Sequence, residues 1–412
     1  MKPYLERSAF YLTCAALVSI LFSIAVSQIL LGLALAALLI SRQTLRLPPI
    51  LVPLGLFIAG TVISLLASGH IHEGLPQIKK FYVFLVLLAA ASTIRKVTEV
   101  RAIVLLWTGV ASLSAIFSLF QFWRKYQEAQ QIHVSLYDFY VGSRITGFMS
   151  HWMTFGAEEM IVLLLLAAFL FFSAERRWKL AGWLCAVLLV VSMVLGLTRG
   201  IFLLGFPVGL LYLLWFWKRW LVAAAPVAAL IALLVAPPFI KERVTSVIHP
   251  HGDEDSNRHR AVLRETGMLM IRAHPWLGLG PEQVNHQFQE WVPRDALPLP
   301  EGYYGHLHNI YLQYAAERGI PTLAAMLWLI GQVLWDFAAA LHAKLAGTEA
   351  RFILHGCIAA ILAILAEGLV EYNLGDSEVL TLFLAVVAFG YVARDAAGVP
   401  VAEPTASVSG RA

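Results

Sequence analysis

The sequence predicts an all-α polytopic membrane protein with about 12 transmembrane helices, and three observations support this fold class. First, 59% of the 412 residues are hydrophobic and 14% are charged, whereas roughly a quarter of the residues in a soluble protein are charged. Second, the apolar residues fall into runs that suffice for roughly 12 spans of about 20 residues each. Third, basic residues alternate between the loops that join these runs. A soluble globular enzyme, a disordered protein and a single-anchor receptor are excluded.

The predicted spans divide the chain into four parts. Residues 1–238 contain transmembrane helices 1 to 9, residues 239–319 form a large hydrophilic insert, residues 320–394 contain helices 10 to 12, and residues 395–412 form a disordered cytoplasmic tail. After two initial spans, we place the others near residues 49–67, 80–93, 100–122, 157–173, 180–197, 200–217, 220–238, 320–340, 352–370 and 377–393.

The first apolar stretch, Ser8 to Ile40, is too long for one ordinary span and contains the polar pair Ser27-Gln28 near its middle. We therefore predict two short helices in this stretch. Because no small-residue cleavage site follows the first of them, we expect a retained span and not a signal peptide.

Basic charge predicts the orientation of the chain. One set of alternate short loops carries 15 Lys and Arg residues, and the other set carries six. Since cytoplasmic loops are enriched in Lys and Arg, both termini are expected in the cytoplasm and the insert on the opposite side. The same bias accounts for the formal net charge of +4, so we expect no nucleic-acid partner. The sequence has no Gly-x-x-x-x-Gly-Lys-Ser/Thr loop, and we expect no nucleotide cofactor.

The insert is rich in side chains that can take part in catalysis, since seven of the 13 histidines lie in it or at its edge. Residues 257–273 have the periodicity of a helix that His274-Pro275 ends. Arg260 and Arg264 are four residues apart and are therefore expected on one face of this helix.

A second amphipathic segment begins at His308 and ends at Gly319, a helix stop, and Pro321 stands where the next helix can start. We expect His308 in the first turn of that short helix, where the helix dipole favours the neutral imidazole that a base requires.

These residues resemble the O-antigen ligase and O-antigen polymerase superfamily of bacterial envelope enzymes. The ligase pattern has His, then Asn, Ser or Gln, nine residues, Gly, two residues and Gly. Here His308-Asn309 is followed after nine residues by Gly319, and Thr322 stands in place of the second glycine. The stretch from Arg260 to Gly280 also resembles the periplasmic helix of that family.

The resemblance implies a GT-C-type fold and a metal-independent, inverting glycosyltransferase. Such an enzyme moves a completed glycan from undecaprenyl pyrophosphate to a sugar hydroxyl on the lipid A-core oligosaccharide, at the periplasmic face of the inner membrane of a Gram-negative bacterium. Membrane lipids are its other partners, and no cofactor is implied. Arginine side chains can bind and neutralise a pyrophosphate leaving group. The substrate-binding candidates are Arg144, Arg199, Arg260, Arg264, Lys80 and Asn309, and His308 is the candidate catalytic base.

Structural alternatives stay open for each candidate. An arginine at a membrane interface commonly extends its charged end into water or orders the topology, and Arg199 is the best functional candidate because the positive-inside rule disfavours it there. His308 can instead be a hydrogen-bonded residue at a helix start, and Asn309 either orients it or caps the helix. His306 is expected to point elsewhere.

Two acidic groups also allow a second interpretation. Asp253-Glu254-Asp255 has a spacing that suits a divalent cation, but its polar surroundings favour a solvated loop. Glu367 and Glu371 lie one helical turn apart at the outer end of a span and could orient an arginine or receive a proton, and we interpret them as structural partners of other polar groups.

Three other functions compete with the ligase. An O-antigen polymerase would use the same donor and a second lipid-linked glycan as acceptor. A protein O-oligosaccharyltransferase would use a Ser or Thr hydroxyl. A secondary transporter would show inverted repeats and broken helices near the bilayer midplane, which we do not find in the sequence.

Overall fold

The computed structural model describes residues 2–173, 176–249, 257–343 and 347–398. These residues form helices joined by loops, and none of them lies in a β-strand. Asp253-Glu254-Asp255 and residues 399–412 of the predicted tail lie outside the described residues.

In chain order, the α-helices of the described ranges are α1 (Lys2–Ser19), α2 (Ile24–Ile40), α3 (Leu51–Ser68), α4 (Ile71–Lys79), α5 (Leu85–Thr93), α6 (Val97–Gln131), α7 (Leu136–Val141), α8 (Trp152–Phe172), α9 (Lys179–Leu195), α10 (Phe206–Trp217), α11 (Trp220–Val235), α12 (Pro238–Thr245), α13 (Asn257–Ala273), α14 (Gln283–Trp291), α15 (Ile310–His342), α16 (Thr348–Glu367) and α17 (Ser377–Ala396).

Eight helical runs in the described part of the chain are long and apolar enough to cross a membrane. They are α3, α4 with α5, α6, α8, a π-helical segment (Gly200–Gly205) with α10, α15, α16 and α17. The other four predicted spans fall on α1 and on the shorter apolar helices α2, α9 and α11. A polytopic helical membrane protein is thus confirmed, while the count of 12 spans and the GT-C type stay predictions.

The first apolar stretch forms two helices, as predicted, but the break lies at residues 20–23 and not at Ser27-Gln28. Ser23 caps α2 by accepting a hydrogen bond from the Val26 backbone N–H. Ser27 lies inside α2 and donates its hydroxyl hydrogen to the Ala16 carbonyl at 2.8 Å. The Ser27 hydroxyl therefore links α2 to α1 through a hydrogen bond and does not end a helix.

The centre of the bundle is formed by α8, α16 and α17, which are predominantly apolar and largely buried. A helix without a polar face belongs in the interior of a bundle. The helices α1, α6, α10 and α15 pack around this centre, and α3 packs against α15. At the other extreme, α11 has no buried residue among those described and lies at the periphery. α17 continues to Ala396, slightly into the segment predicted as tail.

The insert packs on the end of the bundle where α8 and α17 begin and α16 ends, which we call the insert end. The amphipathic helix α13 has the bounds predicted from its periodicity, and it packs against α14 and α15. A small hydrophobic core, which includes Leu263, Met270, Val284, Phe288 and Leu307, holds these helices together.

Gly319 forms the corner at which the insert joins the bundle. Its backbone has φ 79° and ψ 163° inside α15, a conformation that favours glycine. A Cβ atom at this position would lie 2.1 Å from the Trp276 carbonyl oxygen. The next residue, Ile320, donates its N–H to the Pro275 carbonyl at 2.8 Å. The predicted helix stop is therefore a kink that fixes the turn after α13 against α15.

Thr322, which replaces the second glycine of the ligase pattern, faces a glycine on a neighbouring helix. A Cβ atom at Gly60 of α3 would lie 2.4 Å from the Thr322 hydroxyl oxygen. The threonine side chain occupies the space that Gly60 leaves open. The small residue of this contact lies on α3, where it permits close packing of α3 and α15.

Candidate active site

His308 lies just before α15, at the junction of the insert and the bundle. The helix begins at Ile310, and Asn309 is its N-cap, whose side chain accepts a hydrogen bond from the Leu312 N–H. The expected position of His308 in the first helical turn is therefore wrong. His308 precedes the cap with a positive φ of 45°, which is uncommon for a residue other than glycine.

The His308 imidazole is hydrogen-bonded to a buried carboxylate. Its Nδ1 lies 2.9 Å and 3.1 Å from the two carboxylate oxygens of Glu371, in the loop between α16 and α17. A carboxylate only accepts hydrogen bonds, so Nδ1 carries the hydrogen and the neutral ring keeps a free electron pair on Nε2. The side chains of His308 and Glu371 are 11% and 8% exposed. The carboxylate, and not a helix dipole, therefore fixes the tautomer.

Glu371 is held in its ionised form. Burial raises the pKa of this carboxyl group, but the positive charge and hydrogen bond of a protonated His308, and the charges of a protonated His306 and of Arg260, outweigh it and lower the pKa to about 2. The Arg260 guanidinium on α13 lies 3.9 Å from a Glu371 oxygen. Glu371 thus connects a base candidate to an arginine, although the two come from different ends of the insert.

Further guanidinium groups gather beside Arg260. Burial and, after it, the positive charges of Arg243, Arg199 and Arg260 together lower the pKa of Arg144 to about 9. The same two causes, burial and the charge of Arg243, lower the pKa of Arg260, although Glu371 raises it. These arginines therefore share one electrostatic environment and remain charged at neutral pH. We call Arg144, Arg199, Arg243 and Arg260 the arginine cluster.

Backbone carbonyl groups hold the arginine cluster in place. Leu197 accepts hydrogen bonds from Arg243 at 2.9 Å and from Arg144 at 3.3 Å. Arg199 directly precedes the π-helical segment, and its guanidinium donates to the Ser246 backbone and hydroxyl oxygens at 3.2 and 3.1 Å. These oxygens fix the orientation of the guanidinium groups, and several guanidinium groups held close together suit a multiply charged anion.

Two further histidines pack against His308. The rings of His306 and His308 are 4.2 Å apart, and those of His259 and His308 are 5.6 Å apart. His306 was expected to point elsewhere, and instead its Nδ1 accepts the His308 backbone N–H at 3.2 Å. Burial first, and then the positive charge that His308 carries when it is protonated, lowers the pKa of both His259 and His306 to about 4. Both rings are therefore neutral at pH 7.

The remaining predicted residues lie to the sides of this site. Lys80 donates to the Gly375 carbonyl at 3.2 Å, close to Asp376 rather than to the arginine cluster. Asn309 uses its side chain to cap α15 and to bond the Leu369 carbonyl at 2.7 Å. Arg264 is exposed and lines a separate groove with Asn309.

His306, His308 and Glu371 are also grouped closely enough to hold a metal ion. One ligand atom of each lies within 4.8 Å of the others. Arg260 at 3.9 Å from Glu371 places a fixed positive charge next to that position. Since like charges repel, this neighbourhood favours an anion or a neutral hydroxyl over a divalent cation.

Sequence reasoning made no prediction for one residue of the site, Arg243, and assigned another, Glu371, to a structural role. Glu371 was interpreted as a structural partner, although an acidic residue next to a span is a functional candidate by default. Arg243 is 4% exposed and lies in α12, a short helix that the sequence did not predict. The remaining signal for Arg243 was a basic residue close to the end of a span on the predicted outer side, where the positive-inside rule disfavours it.

The fold and the site define a helical membrane protein in which guanidinium groups and a carboxylate-bound imidazole meet at one end of the bundle. Residues 184–327 match the family model described as O-antigen ligase. The match confirms the resemblance predicted from the sequence, and the family has a glycosyltransferase-like activity of the ligase or polymerase type. No curated protein matches the chain significantly. The matched residues include Arg199, Arg243, Arg260 and His308, whereas Arg144 and Glu371 lie outside them.

Proposed function

We propose that the protein is an O-antigen ligase that transfers a glycan from undecaprenyl pyrophosphate to a sugar hydroxyl of the lipid A-core oligosaccharide. The observation that carries this proposal is the continuous arrangement of His308, Glu371 and the arginine cluster, in which Arg260 is the member next to Glu371. The reaction takes place at the periplasmic face of the inner membrane of a Gram-negative bacterium, and both termini lie in the cytoplasm. It requires neither a metal ion nor ATP, because the pyrophosphate bond to the donor glycan supplies the energy.

The arginine cluster binds the pyrophosphate of the donor. Arg144, Arg199, Arg243 and Arg260 carry positive charges that are already oriented by the protein, so little reorganisation is required as negative charge develops on the leaving group. Guanidinium groups can bind phosphate oxygens through two parallel hydrogen bonds, which fixes the direction of the leaving group.

His308 activates the acceptor hydroxyl. The hydroxyl oxygen attacks the anomeric carbon, the bond from that carbon to the pyrophosphate oxygen breaks, and the hydroxyl proton passes to Nε2 of His308. Undecaprenyl pyrophosphate leaves with the bonding electron pair. Because attack and departure occur on opposite faces of the sugar, the anomeric configuration inverts. The Glu371 carboxylate stabilises the imidazolium that forms, since it already accepts the hydrogen bond of Nδ1.

The test is a transfer assay with purified protein, lipid-linked glycan and lipid A-core oligosaccharide, in EDTA and without nucleotide. Product on lipid A-core is expected. Elongated lipid-linked glycan would instead identify an O-antigen polymerase, and transfer to a Ser or Thr of an added acceptor protein would identify a protein O-oligosaccharyltransferase. Absence of turnover with every acceptor favours the transporter. Loss of activity in EDTA that added metal restores would assign His306, His308 and Glu371 to a metal ion.

A further inference from the structure

A groove at the insert end lies outside the arginine cluster and is not used by the mechanism above. Its volume is about 790 Å³. One wall is a single face of α13, and the other is formed by the first turn of α15 and by Leu369. Arg264 and Arg272 line the groove on α13, and they are eight residues, or about 12 Å, apart along the helix.

The lining of the groove is amphipathic. Met268, Leu269, Leu312 and Leu369 provide apolar surface, and Met268 and Leu369 are 38% and 54% exposed. Exposed apolar side chains beside arginines, at the end of a membrane-embedded bundle, are suited to the boundary between acyl chains and a negatively charged headgroup. Glu265 also lines the groove and can accept hydrogen bonds from sugar hydroxyls.

The groove is connected to the active site through Asn309. This residue lines the groove and is adjacent in sequence to His308. Arg264 follows Arg260 by one helical turn, so α13 presents one arginine to Glu371 and the next to the groove. A headgroup in the groove would therefore extend its sugars toward His308, while the arginine cluster remains available for the donor pyrophosphate.

We propose that this groove binds the acceptor, as an acylated, phosphorylated glycolipid whose phosphate groups contact Arg264 and Arg272. The inference rests on the proposed function, because it assigns the second lipid substrate of that reaction. Two arginines separated by about 12 Å along the helix can contact two phosphate groups of one headgroup, whereas a phospholipid with a single phosphate would engage only one of them.

The experiment compares the double variant Arg264→Gln/Arg272→Gln with wild-type protein in the transfer assay. Removing two phosphate contacts is expected to raise KM for bisphosphorylated lipid A-core by about tenfold or more, with kcat and the KM for the donor within about twofold. With a dephosphorylated acceptor, wild type and variant should have the same KM. The matched control is Arg258→Gln, an exposed arginine of α13 that does not line the groove, and it should behave as wild type.

Three outcomes would overturn the groove assignment: an unchanged acceptor KM, a raised donor KM, or an equal loss with the dephosphorylated acceptor. Direct binding of lipid A-core to the His308→Ala variant, measured by native mass spectrometry, separates this inference from the proposed function. If wild-type protein makes no product but binding still depends on Arg264 and Arg272, the ligase proposal fails and the groove stands. If product forms and binding is independent of both arginines, the groove assignment fails alone.

Discussion

Arginines at the two ends of the bundle have different partners. At the end opposite the insert, Arg101 forms an ion pair with Glu349, and Arg394 lies 3.6 Å from an Asp336 carboxylate oxygen. At the insert end, Arg144 donates to the Val141 and Leu197 carbonyls, and the charges that lower its pKa are those of other arginines. A carboxylate neutralises a guanidinium group, whereas a carbonyl orients it and leaves its charge available. The comparison distinguishes the ion-paired arginines from Arg144, which suits an anion. Arg260 is an intermediate case, because it lies among the arginines of the insert end but 3.9 Å from a Glu371 oxygen.

The largest effect is expected from His308→Ala, which removes the base. The rate of transfer should fall by about 10²- to 10⁴-fold, because proton removal by a positioned base contributes that much. The protein should remain folded, as judged by its thermal unfolding profile in detergent. His286→Ala, at an exposed position of α14, is the control and should retain wild-type activity. If the His308→Ala protein transfers glycan at the wild-type rate, His308 is not the base, and the insert end is not the site of proton removal.

Arg260→Lys tests the comparison between the two ends directly. Lysine keeps the charge but lacks the planar fork of donors, so kcat should fall by about 10²-fold. The control is Arg101→Lys at the opposite end, where the ion pair with Glu349 tolerates the change and activity should stay within about twofold. Equal losses in the two variants would show that both arginines act through folding alone.

Glu371→Gln should reduce kcat by about 10- to 100-fold, because one charge-assisted hydrogen bond to His308 is weakened. Since Glu371 acts through His308, the KM values should change little, and Glu371→Asp should restore part of the rate. If both KM values rise with kcat unchanged, Glu371 contributes to substrate binding and not to the position of the base.

The coupling between these two groups also predicts a titration. In His308→Ala, the pKa of Glu371 should rise from about 2, because burial raises it and the histidine charge and hydrogen bond that lower it are gone. Infrared titration of the carboxylate band would measure this shift. A pKa that stays at about 2 in the variant would show that other charges hold Glu371 ionised.

The smallest effect on chemistry is expected from Gly319→Ala, which acts on the junction of insert and bundle. Alanine at φ 79° is strained, and its Cβ would meet the Trp276 carbonyl, so stability should fall by about 1–3 kcal/mol or more. The control is Gly331→Ala, also in α15, where an added Cβ meets no atom within 4 Å. That substitution should be neutral or slightly stabilising. Thermal unfolding in detergent measures the stability of both variants. Equal stabilities would show that the backbone at position 319 does not require glycine.

Local patterns in the sequence predicted the helices well. The bounds of α13 follow from its amphipathic period and from the His274-Pro275 stop, and the kink at Gly319 follows from a glycine preceding a proline. The position of His308 was predicted less well. Whether a residue lies in the first turn or before the cap depends on Asn309, whose side chain completes the α15 terminus.

The sequence alone determined that this chain is a bundle of apolar helices with a polar insert, because hydrophobic composition and basic charge in the loops act locally and are visible along the chain. It also marked His308 and several arginines as candidates. Only the tertiary structure decided which of them meet. Glu371 comes from the loop after α16, Arg260 from the insert and Arg144 from the loop before α8, and they converge because the helices pack side by side and bring distant loops to one end. Charge and hydrogen bonding depend on distances in space, and the order of residues does not fix those distances.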